Sequence, residues 1–254
     1  MQGRLAEKVI VIAGAGGIGN EMARRYASEG ASVVLGDIDT ETAKAGVNEI
    51  TAAGGKAIAT ELDGSSEASI GAAVKLAVSE FGALHGFNAN YTNDADGRTG
   101  KDILDLPLDV FDGVMNVNVR GYVLCTRQAI PALLASGGGS MVYTSSGTVY
   151  SPEALRCAYV MSKGAIHPLA RHVAKRWGPE GVRANVIAPG LIFHDKVAAK
   201  TTPEFQEMLR KMTALHELGH PRDIAAVSAM LMSDDGRYLT GQVFNVDGGL
   251  TMRP

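Results

Sequence analysis

Cysteine, proline, long apolar runs and an excess charge of either sign are all scarce in this chain, and each scarcity excludes a class of protein. Two cysteines in 254 residues, Cys125 and Cys157, cannot build a disulfide framework or a thiolate zinc cage. Each sits in an apolar, helical context, where a reduced buried thiol is expected. Nine prolines do not make an extended or low-complexity chain. No window reaches the roughly 18 uncharged apolar residues of a membrane-spanning helix. Polar residues 1–8 run straight into the five-residue apolar stretch VIVIA, too short for a secretory leader, so a cytoplasmic protein is expected. With 24 basic and 27 acidic residues, a net charge of -3 leaves no electrostatic footprint for nucleic acid or an anionic membrane. The composition, 46% apolar and 20% charged, is that of a chain that buries a sizeable core rather than a disordered one.

Glycine is what the sequence has in excess, 31 residues, without any collagen-like period. Short β-branched runs alternate with helical patterns from end to end. Strands are expected over residues 9–13, 32–37, 57–62, 84–90, 140–145, 183–188 and 242–246. Their continuous rather than alternating apolar character suggests a sheet covered on both faces. Between them, Ile70, Ala73, Val74, Ala77 and Phe81, and again Ile224, Val227, Ser228 and Leu231, recur at helical spacing. Strand–helix–strand repetition builds a parallel, doubly wound α/β sheet through right-handed crossovers. No linker, charge block or internal repeat divides the chain, so one domain over 1–254 is the simplest organisation.

Directly after the first strand stands Gly14-Ala15-Gly16-Gly17-Ile18-Gly19, followed by a helix expected to open at Asn20. Here G-x-G-x-x-G occupies the strand–turn–helix context its chemistry requires. Gly14 permits the tight turn, Gly16 lets backbone approach a pyrophosphate, and Gly19 lets the helix pack close to the strand. The anion would rest on the helix N-terminus. The second strand ends at Asp37, 18 residues beyond Gly19, where a carboxylate can accept both ribose hydroxyls of an adenosine and would repel a 2′-phosphate. No Lys or Arg lies between Ala13 and Asn20 or directly after Asp37, so NAD is expected over NADP. The competing reading of Asp37 is a solvated strand-end acid.

Tyr159 and Lys163, at i and i+4, share one face of a helical run that reaches Trp177. Tyrosine ionises near pH 10 and is a poor base at neutrality; a lysine ammonium one turn away favours the phenolate. Strand 140–145 delivers Ser145-Ser146 at its C-terminal end, where open α/β sheets bind ligands. Without a neighbouring histidine, Ser146 suits hydrogen bonding better than nucleophilic attack.

The glycine loop, Asp37, Asn116-Val117-Asn118-Val119 before Gly121, Ser146, Tyr159-x-x-x-Lys163, Pro189-Gly190 and the closing Val246-Asp247-Gly248-Gly249 occur in the order of the short-chain dehydrogenase/reductase family, which the chain resembles from Lys8 to Gly249. The resemblance implies a single Rossmann-type domain with a seven-stranded parallel sheet flanked by helices, and hydride exchange between a secondary alcohol or ketone and the nicotinamide of NAD. By similarity Tyr159 is the general acid/base, Lys163 holds the nicotinamide ribose and lowers the tyrosine pKa, Ser146 orients the substrate oxygen, and Asn118 holds a water linking Lys163 to solvent. Ile38 joins Asp37 at the adenosine end, with Asp63 and Gly64 toward the adenine and Asn90 beside the cofactor. Pro189, Gly190 and the backbone of Ile192 meet the nicotinamide. A homotetramer built on the long helices after the fourth and fifth strands is implied too.

Four features depart from the family pattern. Ala13 replaces a threonine and the glycine loop is one residue short. The Asn-Asn-Ala-Gly after the fourth strand reads Ala89-Asn90-Tyr91-Thr92. His194 stands where a threonine often holds the nicotinamide amide, and so takes over that bond or faces substrate. Pro168, inside the Tyr159 helix, should bend it about one turn beyond Lys163. The altered glycine loop and the altered Asn-Asn-Ala-Gly segment support an alternative, a catalytically silent NAD-binding or assembly protein of the same fold, and the intact set Asn118, Ser146, Tyr159 and Lys163 argues against it.

A rival motif, His216-Glu217-Leu218-Gly219-His220, spells H-E-x-x-H, but zinc hydrolysis needs both histidines on one continuous helix, which Gly219 and Pro221 oppose. No metal site is expected. Residues 191–215 are expected to form a flap over the cleft, and Tyr91, Ser146, Tyr150, Phe193 and His194 to line a largely apolar pocket. No Arg or Lys cluster there suggests a phosphate or carboxylate, so a neutral cyclic or aryl-bearing alcohol is the expected substrate.

Overall fold

Val9–Ala13 is buried along its whole length because it is an interior strand, β1, of a sheet covered on both faces. A computed structural model describes residues 3–151, 153–193 and 201–252. Strands β2 (Ser32–Asp37), β3 (Lys56–Glu61), β4 (Gly86–Ala89), β5 (Gly139–Thr144), β6 (Val182–Pro189) and β7 (Val243–Val246) join β1 in one seven-stranded sheet of order β3-β2-β1-β4-β5-β6-β7. Every pairing is parallel. All seven expected strands are present, with ends displaced by up to two residues. The Rossmann-type, doubly wound sheet expected from the strand–helix repetition is the one observed.

Side chains alternate across β1, and this period of two sorts the core into two layers. Val9, Val11 and Ala13 pack with α3 (Glu67–Phe81), α6 (Gly121–Ala135) and α7 (Cys157–Trp177). Ile10 and Ile12 pack on the opposite face with α1 (Gly17–Ser28), α2 (Thr40–Ala52) and α9 (Pro221–Met232). The helical spacings read in the sequence fall where expected: Ile70, Ala73, Val74 and Ala77 are buried on α3, and Ile224, Ser228 and Leu231 on α9. Cys125 is buried on α6, and Cys157 is partly buried at the start of α7. Between β4 and α6 lie the short α4 (Ala95–Thr99), α5 (Leu108–Met115) and one π turn, Asn116–Arg120. After β6 comes α8 (Pro203–Met212). Among the described residues no helix is long and apolar enough to cross a membrane.

One local expectation needs correction. Helix α1 opens at Gly17 rather than Asn20, because Gly16 serves as its N-cap and the Asn20 N–H already bonds to the Gly16 carbonyl at 3.0 Å. Helix α7 carries Pro168 inside it and runs on to Trp177, with Ile166, Ala170 and Val173 packed in the core on both sides of the missing N–H.

The strand order reverses between β1 and β4, and the register there decides what meets. Ala13 pairs with Ala89, Ala89 with Tyr143, and Thr144 with Ile187. The residues just beyond these pairs, Gly14, Asn90, Ser145-Ser146 and Pro189-Gly190, therefore emerge side by side at the carboxyl edge, where open α/β sheets bind ligands.

Candidate active site

Gly14 has φ +105 and Gly19 packs so closely that a Cβ on it would lie 1.8 Å from the Gly14 carbonyl oxygen; at Gly16 a Cβ would meet nothing within 4 Å. The turn is thus closed on its protein side and open on the other. No side chain caps α1 and no acid occupies its first turn. The Gly17 and Ile18 N–H groups have no partner among the described residues, so the helix presents unpaired donors where Gly16, Gly17 and Ile18 line a cavity of about 470 Å3. That arrangement fits a dinucleotide pyrophosphate.

Asp37 lines the same cavity. Its Oδ2 accepts the Ala15 N–H at 2.6 Å and its Oδ1 accepts the Asp39 N–H at 2.9 Å. The loop that is one residue short is therefore tethered directly to the acid at the end of β2. Asn90 adds a second tether by donating from Nδ2 to the Gly14 carbonyl at 3.1 Å. Ile38, Pro189, Gly190 and Ile192 also line the cavity. Asp63 and Gly64 do not: the Asp63 carboxylate turns to the N–H and hydroxyl of Ser65. His194 lies outside the described residues.

Ser146, Tyr159 and Lys163 share this cavity with the glycine loop. Ser146, at the end of β5, accepts both the Thr148 N–H and the Thr148 hydroxyl, which leaves its own proton to donate. Lys163 is fully buried on α7; its Nζ donates to the Thr144 carbonyl at 3.0 Å and lies 3.4 Å from the Tyr122 hydroxyl and 5.8 Å from the Tyr159 ring centroid. Burial pushes its pKa down to about 7. Burial raises the Tyr159 phenol above its ordinary value, and the neighbouring Ser146 hydroxyl and Arg156 guanidinium pull the other way. Asn118 does not line the cavity. It sits buried in the π turn, its Oδ1 accepting the Asn93 N–H at 2.7 Å and its Nδ2 donating to the Asn93 carbonyl and to Ser162 Oγ.

Sequence reasoning missed Thr92 and Thr144, which line the cavity, and Asp96. The last is a buried carboxylate whose Oδ2 accepts the Tyr159 N–H at 2.8 Å. Arg156, the N-cap residue of α7, has φ 67 and supplies no capping bond, so Asp96 supplies one from 63 positions away. No local signal reveals such a partner.

Two expected pocket residues do not line the cavity. Tyr150 turns back onto α7, its ring 5.7 Å from that of His167 and its hydroxyl 3.3 Å from Nδ1. Phe193 is drawn away by a bridge between Ile192 and Gly219 and by its own N–H bond to the Gly219 carbonyl. With alternate side chains pointing oppositely, Ile192 faces the cavity and Phe193 a separate depression beside Glu21 and Arg24. The H-E-x-x-H segment is not helical: His216 has φ 54, and His220 is the extended N-cap of α9. Among the described residues no cluster of three potential metal ligands occurs.

Tyr91, the aromatic departure after β4, lines the cavity and packs its ring against Gly64, where a Cβ would come within 2.3 Å of the ring. Its hydroxyl donates to the Gly64 carbonyl and lies 3.3 Å from Cys125 Sγ. The absent side chain at Gly64 is thus the space that Tyr91 occupies. Gly64→Val should destabilise the fold by about 1–3 kcal/mol, the usual cost of overpacking, and Tyr91→Ala should restore part of it in the double variant. Denaturant unfolding of the four proteins measures the coupling, and purely additive effects would disprove this complementarity.

A dinucleotide cradle opening onto serine, tyrosine and lysine is the equipment of a nicotinamide-dependent oxidoreductase. Similarity to known proteins gives the class its family. A family model described as enoyl-(acyl carrier protein) reductase matches residues 12–251. The chain is 38% identical to a probable short-chain type dehydrogenase/reductase of Bradyrhizobium diazoefficiens, over 98% of this chain and 89% of that one. It is 35% identical to the cyclohexanol dehydrogenase of an Acinetobacter strain, over 100% and 98% of the two. The solved structure of a 7α-hydroxysteroid dehydrogenase complexed with NADH and 7-oxo-glycochenodeoxycholic acid superimposes with a TM-score of 0.89 at 32% identity, covering 97% of this chain and 95% of that one. The chain belongs to the short-chain dehydrogenase/reductase family.

Proposed function

We propose that the protein is an NAD-dependent alcohol dehydrogenase or ketone reductase acting on a neutral cyclic or aryl-bearing compound. The observation that carries this is the single cavity uniting Gly14, Gly16, Gly17 and Asp37 with Ser146, Tyr159 and Lys163. The bound nicotinamide supplies the hydride acceptor or donor. Ser146, with its proton free to donate, orients the substrate oxygen; the Tyr159 phenolic oxygen takes the hydroxyl proton in oxidation and returns it in reduction. Lys163 stabilises the phenolate and holds the nicotinamide ribose, and Asn118 anchors a proton path toward solvent. Gly17 and Ile18 N–H groups hold the pyrophosphate, with Asp37 and Ile38 at the adenosine and Pro189, Gly190 and Ile192 at the nicotinamide. Of the flap expected over 191–215, residues 194–200 lie outside the described residues, and the described part that carries α8 (Pro203–Met212) serves to cover the substrate. Relatives named for cyclohexanol and for a 7α-hydroxysteroid support a ring-bearing alcohol. Exposed apolar Leu108, Val123 and Met161 on α5, α6 and α7 support the homotetramer.

The test is a screen of cyclic and aryl secondary alcohols, their ketones and an enoyl thioester, each with both cofactors, read by nicotinamide absorbance. Turnover of the enoyl thioester alone, or of nothing, would overturn the proposal. Asp37 decides the cofactor. Asp37→Ser should raise KM for NAD about 10–100-fold, the worth of charge-assisted hydrogen bonds, and narrow the preference against NADP. An unchanged ratio of kcat/KM for the two cofactors would show that Asp37 only tethers the loop.

A further inference from the structure

The proposed reaction gives Arg156 no part, yet its side chain lies against the residue on which the chemistry turns. Its guanidinium carbon is 4.2 Å from the centroid of the Tyr159 ring. The side chain runs over Gly97 of α4, where a Cβ would come within 3.1 Å of the arginine Nε and 3.3 Å of Cγ and Cδ. Glycine at that position is therefore the notch that admits the arginine. Arg156 also adopts φ 67 at the N-cap of α7, a conformation that non-glycine residues reach only at a cost. Among the described residues no carboxylate comes within ion-pair distance of it. An arginine held over an aromatic ring without a counter-ion directs its charge at that ring.

We propose that Arg156 is a positioning residue for Tyr159, a permanent cation that holds the ring against α4 and stabilises its phenolate alongside Lys163. The inference rests on Tyr159 being the acid/base of the proposed reaction. The groups that face Tyr159 are Asp94 and Asp96 before and within α4, Tyr122 on α6, Ser146 after β5, and Arg156 and Lys163 on its own helix. Asp94 opposes the phenolate, and Asp96 is engaged with the Tyr159 and Gly97 N–H groups. Lys163 loses its proton near neutrality because it is buried. A guanidinium keeps its charge throughout the working range. Arg156 is thus the cation on which the phenolate depends when Lys163 is neutral.

The experiment compares Arg156→Gln with Arg156→Lys, two variants that share the same backbone demand. Ionisation of Tyr159 is followed by ultraviolet difference titration of free and NAD-loaded protein, each referenced to the same protein carrying Tyr159→Phe. Arg156→Gln should move the ionisation up by about one pH unit, the low end for a cation at this range, and Arg156→Lys should restore at least half of that. The limb of the kcat/KM profile for alcohol oxidation should move with it. Gly97→Leu, which pushes the arginine off the ring without removing it, should give the same upward displacement and stands in if Arg156→Gln fails to fold. An unmoved ionisation in Arg156→Gln, or equal displacements in the Gln and Lys variants, would overturn the proposal. The titration needs no turnover, so it separates failure of this inference from failure of the proposed reaction.

Discussion

Tyr159→Phe should lower kcat/KM about 10³-fold, within the range that a lost general acid/base removes, while the dissociation constant for NAD stays within about twofold of wild type. The substitution deletes one oxygen and leaves everything else that holds the residue. Phenylalanine keeps the ring beneath the Arg156 guanidinium, and the main-chain N–H keeps its bond to Asp96. The pyrophosphate cradle at Gly16, Gly17 and Ile18 sits on a different helix. The loss should therefore fall on kcat and not on cofactor affinity, which fluorescence titration with NADH measures independently. A variant retaining a tenth or more of wild-type turnover would remove Tyr159 from the proton transfer and leave Ser146 as the group to test.

Local pattern accounts for most of what the sequence revealed. β1 and β2 were legible as unbroken apolar runs because both faces are covered, and α3 and α9 were legible because their buried residues keep helical spacing. The glycine loop, Asp37 and the Tyr159–Lys163 pair were found for the same reason, since each is a short-range arrangement. What escaped depends on partners distant in the chain. Asp96 reaches the Tyr159 N–H across 63 positions, and the tether from Ala15 to Asp37 joins residues 22 positions apart. Tyr150 and Phe193 do not line the cavity, and an aromatic residue beside a cleft carries no local sign of the way it turns. His167 turns one and the Ile192–Gly219 bridge the other. Tyr91 was recognised as a departure, but its fit depends on the missing side chain at Gly64, 27 positions earlier.

Lys163→Met should abolish turnover and at the same time raise the unfolding free energy at pH 7 by about 2–3 kcal/mol. Burial lowers the Lys163 pKa from 10.5 to about 7. Above pH 10.5 neither the folded nor the unfolded chain carries the charge, and the site contributes nothing. As pH falls from there toward 7, the unfolded chain takes up a proton that the folded chain does not, so wild-type stability declines. The decline reaches up to about 4–5 kcal/mol near pH 7 and then levels off as the folded form is protonated as well. Methionine carries no such penalty and fills a similar volume, but it forfeits the bonds from Nζ to the Thr144 carbonyl and the Tyr122 hydroxyl, at about 1 kcal/mol each. The remainder is the expected gain, about 4–12 °C in melting temperature for a chain of this size. Melts at pH 7 and pH 10.5 separate the effects: the gain should be present at the lower pH and absent or reversed at the higher. A variant equally destabilised at both would mean that Lys163 is held in the fold by its hydrogen bonds at no electrostatic cost. The opposite outcome would make the lysine a residue whose catalytic position is maintained against folding stability.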